Sequence, residues 1–249
     1  MKEILADLNF NSLEDLKQWI DDLKSGKRKD ENEFVWSIMK SPYVDYHYSL
    51  MKDKTLSEKF RRNLMSRFDE HNEKGQALLL SKLDNNEDID FHAEIIFMLG
   101  KLNNRRNSPD RNKVVDYAEK LALSSDSYTR DRAIIVLGWI GSMKDIPLLA
   151  DRLLNDPDEK CRTWAATSFM QMWFRDESQE LVEQVLPYLQ QSIAQEKDYF
   201  ALGCMISTVQ ELTKKRFGLA QKDIDNTDKE KIDSAKLKVE RFLNKRYNK

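Results

Sequence analysis

The sequence predicts an all-α protein, a superhelix of stacked antiparallel helix pairs forming one domain over residues 1–249. Three observations carry that expectation. The stretch Asp126 to Gly141 (DSYTRDRAIIVLGWIG) has two further copies, one on either side of it; an amphipathic segment precedes each copy; and only 7 glycines and 5 prolines occur, too few for the many turns of a β-rich fold.

At 3.6 residues per turn, Arg130, Ala133, Ile134, Leu137, Gly138 and Gly141 share one face of the central stretch, and Arg132, Ile135, Val136 and Trp139 share the opposite one. Both faces are partly apolar, so the chain should cover one and leave the other for a neighbour or a partner. Sliding the stretch back by 38 positions places Ile96, Leu99 and Gly100 of DIDFHAEIIFMLGKL on Ile134, Leu137 and Gly138. Sliding it forward by 32 places Arg162, Ala165, Phe169 and Met172 of DEKCRTWAATSFMQMW on Arg130, Ala133, Leu137 and Ile140. The pairs Asp126/Arg130 and Asp158/Arg162 repeat one spacing, with Asp88/His92 in the third copy. Each Asp is expected to cap a helix, and each Arg to pair with that Asp or with the Asp of the neighbouring copy.

The preceding segments are 74–83, 111–123 and 144–154, with polar turns at 84–88, 124–127 and 155–158. A helix–turn–helix unit at this interval is the signature of an α-solenoid, in which neither helix buries its apolar face without the next unit. On NDPDEKCRTWAA and DSYTRDRAIIVLGWIG, the chain resembles the HEAT repeats, especially the short bacterial variety first named from phycobilisome lyases. The resemblance runs from about Asn72 to Phe174 and implies a HEAT-like stack whose second helices line a concave side.

The flanks do not repeat the unit. Residues 1–70 read as a helical cap. Ser12 caps a helix from Leu13 to about Lys24, GKRKDENE (26–33) is a loop, a second helix runs from Glu33 to Lys40, and YVDYHY (43–48) lies at a bend. Thr55 to Glu58 forms a capping box for a helix reaching about Glu70. Repeats then occupy 71–217, including a degenerate fourth pair over 179–191 and 198–214, in which Pro187 bends the first helix or marks its last turns and Gly218 ends the second. Residues 218–249 are a linker and a capping helix, launched by a box at Thr227 to Glu230, that packs Ile232, Leu237, Val239 and Leu243.

Little in the sequence asks for catalysis. His47, His71 and His92 sit in separate elements without metal-ligand spacing, Cys161 and Cys204 fall inside helices, and no glycine-rich phosphate loop occurs. No catalytic residue, metal or cofactor is assigned. The N-terminus lacks a signal-peptide pattern and the two cysteines suit a reducing setting, so a cytoplasmic location is expected. The expected activity is therefore non-enzymatic binding of a partner protein or peptide on the concave face. The candidate contacts are Glu94, Phe97, Met98 and Lys101; Arg132, Ile135, Val136 and Trp139; and Trp164, Thr167, Ser168 and Gln171. Phe97, Trp139 and Trp164 would stack as an aromatic ridge, the side-chain type that anchors protein interfaces.

The alternative is a HEAT-like DNA-binding protein or alkylpurine DNA glycosylase, suggested by Trp139 and Trp164 near Arg132 and Asp145. Residues 71–212 carry 16 Lys/Arg against 23 Asp/Glu, which disfavours nucleic acid on that face. Residues 213–249 reverse the balance, with 12 Lys/Arg against 6 Asp/Glu. That end is read as a solvated capping helix, because its cations are interleaved with acids. No apolar run suits a membrane span.

Overall fold

The computed structural model describes residues 12–105 and 110–247, and every regular element among them is helical. The chain divides into two compact units, residues 1–102 and 103–249.

The N-terminal unit holds α1 (Leu13–Lys24), α2 (Glu31–Lys40), α3 (Val44–Lys52), α4 (Glu58–Arg67), α5 (Asn72–Asp84) and the start of α6 (His92–Arg105). Ser12 opens α1 as expected: its hydroxyl accepts the Asp15 N–H at 3.1 Å while the Asp15 carboxylate accepts the Ser12 N–H at 3.0 Å. The buried Leu16 and Ile20 of α1 face an aromatic core in which Trp19, Phe34 and Phe60 meet edge to face, at centroid distances of 5.6 and 5.9 Å.

Several local expectations change. YVDYHY is not a bend but the first turns of α3, with His47 and Tyr48 buried. Ser57, not Thr55, caps α4 by accepting the Phe60 N–H, because Thr55 instead donates its hydroxyl and its N–H to Asp53. Asp88 caps nothing. It sits in the left-handed region at φ 53°, a short 3₁₀ turn (Ile89–Phe91) precedes α6, and its carboxylate takes the Tyr48 hydroxyl at 2.8 Å and the Lys52 ammonium.

The separate histidines also meet. His47 Nδ1 lies 2.8 Å from His71 Nε2, and His47 Nε2 is 3.1 Å from the Leu64 carbonyl. One ring proton lies between the two imidazoles, so protonating both would remove that bond and set two cations side by side. Burial pushes His47 down to about 3 and His71 down to about 4.

In the C-terminal unit, α7 (Arg111–Leu121) pairs with α8 (Ser127–Ile140), α9 (Ile146–Asn155) with α10 (Glu159–Asp176), and α11 (Gln179–Gln195) with α12 (Tyr199–Thr213). The second helices α8, α10 and α12 pack side by side in one layer, and α9 packs on α11 in the other. Asp126, Asp158 and Asp198 each accept backbone N–H groups at the start of a second helix, for example Thr129 on Asp126 at 2.8 Å and Ala201 on Asp198 at 2.8 Å.

The arginine one turn later pairs forward, but with a different acid from the cap. Arg130 forms a fork with Asp156 through two bonds of 2.8 Å and also donates to the Ser124 and Ser125 carbonyls. Arg162 forks Glu196 at 2.7 and 2.9 Å and donates to the Asp156 carbonyl. In both cases the acceptor lies in the turn of the next pair, two residues before its capping Asp.

The C-terminal end differs from expectation too. Pro187 lies inside α11, which continues to Gln195. Lys214, in the left-handed region at φ 55°, ends α12 in place of Gly218. The expected linker contains α13 (Gln221–Asp225). Asp228, not Thr227, accepts a first-turn N–H of α14 (Lys229–Tyr247), that of Lys231 at 3.2 Å. Helix α14 packs on α11 and α12 through Ile232, Val239 and Leu243, while Leu237 is 55% exposed.

Two measurements test this packing. Asp156→Ala leaves the buried Arg130 guanidinium without its carboxylate and is expected to lower unfolding free energy by about 3–5 kcal/mol in urea titrations, whereas Arg130→Ala should cost less because Arg152 still holds Asp156 at 3.3 Å; a change within ~0.5 kcal/mol for Asp156→Ala would show that the fork contributes little. The depressed histidines favour the folded state fully above about pH 6.5. Stability should fall as pH drops toward 4, at up to about 1.4 kcal/mol per pH unit for each histidine, and a variant lacking both should lose that part of the slope.

Candidate functional site

The second-helix layer of the C-terminal unit leaves one stripe of each helix uncovered. On α10 that stripe runs through Lys160, Trp164, Thr167 and Met170, and on α12 through Phe200, Cys204 and Ser207. Helix α13 closes the side with Ile224, and together they bound a cleft of 390 Å³. Its walls are mainly apolar: Trp164 and Met170 are half-buried, and Phe200 is 44% exposed. Gly203 lets α13 come close, since a Cβ there would lie 3.1 Å from Ile224 Cγ1 and Cγ2. Burial pushes the Cys204 thiol up to about 11, with Asp225 and Asp198 adding to the shift, so it is a neutral wall atom at physiological pH rather than a nucleophile.

On the neighbouring α8, Gly138 sets the spacing. A Cβ there would lie 2.9 Å from Ser168 Cα and 2.3 Å from Gln171 Oε1. This close approach lets the Ser168 hydroxyl donate to the Ile134 carbonyl at 2.9 Å and the Arg175 guanidinium cap the end of α8, at 2.8 Å from the Trp139 carbonyl and 2.6 Å from the Gly141 carbonyl.

The structure sorts the residues expected to contact a partner. Trp164, Thr167, Trp139, Arg132 and Gln171 are half-buried on the second-helix layer, and Arg132 stacks at 4.8 Å over Tyr128 and donates to its hydroxyl. Ile135, Val136 and Ser168 are buried between helices, because each second helix is flanked by two others and only a narrow stripe escapes. In the N-terminal unit Met98 is buried as well, Glu94 and Phe97 are half-buried, and Lys101 is tied to the Ser66 carbonyl at 2.8 Å and to Asp69 at 3.3 Å. The residues that sequence reasoning missed are Met170, Phe200, Cys204 and Ile224. The first lies at the edge of its helix's apolar face, and the others belong to a degenerate pair and a supposed linker whose packing the repeat pattern does not specify.

Residues 77–170 match the family model described as HEAT repeats. Over these residues the chain is similar to HEAT repeats. Comparison with curated proteins and with solved structures found no match. The HEAT match takes in α8 and the part of α10 that lines the cleft, while Phe200, Cys204 and Ile224 lie beyond it.

Asp145 serves the fold. It is buried, accepts the Ser142 N–H at 2.6 Å within the turn after α8, and is raised by burial and by the neighbouring Glu119. Among the described residues no group of three or more metal-binding side chains occurs, and no helix is long and apolar enough to cross a membrane. Gly138→Ala should force α8 and α10 apart and lower stability by about 1–3 kcal/mol or more in thermal unfolding. An unchanged melting temperature would contradict the close approach.

Proposed function

We propose that the protein is a non-enzymatic interaction module that holds a partner protein or peptide on the second-helix layer of its C-terminal unit, with the α10–α12–α13 cleft as the anchor site. The observation that carries this reading is the apolar cleft of 390 Å³ walled by Trp164, Met170 and Phe200. Desolvated aromatic anchors supply much of the affinity at protein interfaces, and HEAT repeats are generally protein-interaction scaffolds. Arg132, Trp139 and Gln171 extend the proposed surface along the layer, and Ile135 supports it from beneath. Glu94, Phe97 and Lys101 are the proposed contacts of the N-terminal unit, and Met98 backs them from its core. A cytoplasmic location and the absence of catalysis belong to the same reading.

The test is affinity capture with the tagged full chain, followed by titration of the protein retained. Trp164→Ala combined with Phe200→Ala should weaken that partner at least about tenfold, the scale of a missing anchor, with an unfolding midpoint close to that of the parent. Undiminished affinity in the double variant would remove the cleft from the proposal.

A further inference from the structure

A second surface of the C-terminal unit has a different chemistry. The segment that follows α12 carries Lys214 and Lys215, and α14 carries Lys238, Arg241 and Lys245. The last three recur at intervals of three and four residues and so share one stripe of the helix. At 100° per residue, Asp233 and Glu240 fall on the opposite flank, where Asp233 accepts the Tyr199 hydroxyl at 3.2 Å.

The loop and the stripe are one surface. The Lys215 ammonium lies 4.4 Å from the Phe242 ring, Phe242 is 5.5 Å from Phe217, and the Lys238 ammonium donates to the Phe217 carbonyl at 3.2 Å. At the other end Lys214 stacks over Trp173 at 3.8 Å and stands 5.9 Å from Phe174, whose ring is 55% exposed. No ion pair among the described residues engages Lys214, Lys215, Lys238, Arg241 or Lys245. Of the acids nearby, Arg216 holds Glu211 at 3.1 Å and Arg175 holds Asp176 at 3.0 Å, while Glu177 is exposed.

We propose that this cationic surface binds single-stranded nucleic acid, with the lysines and Arg241 following the phosphate backbone and Phe174 offering a stacking face to a base. Two features favour that partner. The five cations form the positive track that a row of phosphates requires. The exposed ring beside Lys214 supplies the aromatic element that such surfaces combine with a positive track. An anionic membrane surface would need an apolar face beside the cations, and Leu237, one turn before Arg241, is the only exposed large apolar side chain among the described residues of α14, with Glu230 on the same stripe. The acidic balance of the repeats does not oppose this, because the surface lies beyond them in the segment where the balance reverses.

Fluorescence anisotropy of labelled oligothymidylate and oligouridylate, titrated with the full chain at several salt concentrations, tests the proposal. Binding is expected at low salt and should weaken as salt rises. The triple variant Lys215→Gln, Lys238→Gln, Lys245→Gln should lower the log–log salt slope by about 2, roughly 0.7 for each single-strand phosphate that is no longer neutralised. Phe174→Ala should weaken binding about tenfold. A control with the same reduction of charge in the N-terminal unit, Lys29→Gln, Lys54→Gln, Lys59→Gln, should bind like the parent, and circular dichroism should show all variants folded. No binding at low salt, equal weakening in the control, or equal affinity for polyglutamate or phosphatidylserine vesicles would each overturn the proposal.

Discussion

Arg130 and Arg162 each stand one turn into a second helix, and each directs its guanidinium forward into the turn of the following pair, onto Asp156 and Glu196. Their remaining donors take carbonyls of the turn that precedes their own helix, or of residues next to it, so one side chain joins two consecutive units through five-donor geometry that lysine cannot supply. Asp156 in turn accepts the Asp158 N–H at 3.0 Å, and Glu196 accepts the Asp198 N–H at 2.9 Å. Burial alone would raise both acids, but the facing guanidinium and the backbone donors hold them below the ordinary carboxylate range. Because these charges are buried, the pairing fixes which turn meets which helix: a slipped stack would leave them unpaired.

That registration decides where the surface apolar stripes lie. With α8, α10 and α12 held side by side, each has two flanks covered by its neighbours and keeps one narrow stripe, which is why Ile135, Val136 and Ser168 disappear while Trp164 remains. The small residues act on the same geometry from below. Gly138 admits the Ser168 backbone to α8, and Gly203 admits Ile224 to α12, so the floor of the cleft is set by backbone contact rather than by large side chains.

The N-terminal unit is held by another device. Its core is a chain of edge-to-face rings, from Trp19 through Phe34 to Phe60, and a separate cluster in which His47 touches both Phe68 and His71. Two imidazoles can be buried there because each is neutral and one donates to the other, which a cation pair could not do. The C-terminal elements show how charge can be arranged on a helix that is mostly structural. One side of α14 packs on α11 and α12, and Lys238, Arg241 and Lys245 share an edge near the loop after α12.

The sequence by itself determined the class of fold, the helix–turn–helix interval and the caps at Asp126 and Asp158, because helix periodicity and capping are local and need only a few neighbouring residues. Only tertiary structure decided the rest. Asp156 and Glu196 look like ordinary surface acids until the next turn is brought beside an arginine. The meeting of His47 with His71, the diversion of Asp88 to Tyr48 and Lys52, and the closing of a cleft by Phe200 and Ile224 join residues far apart in the chain. A helical wheel shows which residues share a face, but whether that face meets solvent depends on how closely the next helix approaches, and that distance is set by side chains and glycines of other elements.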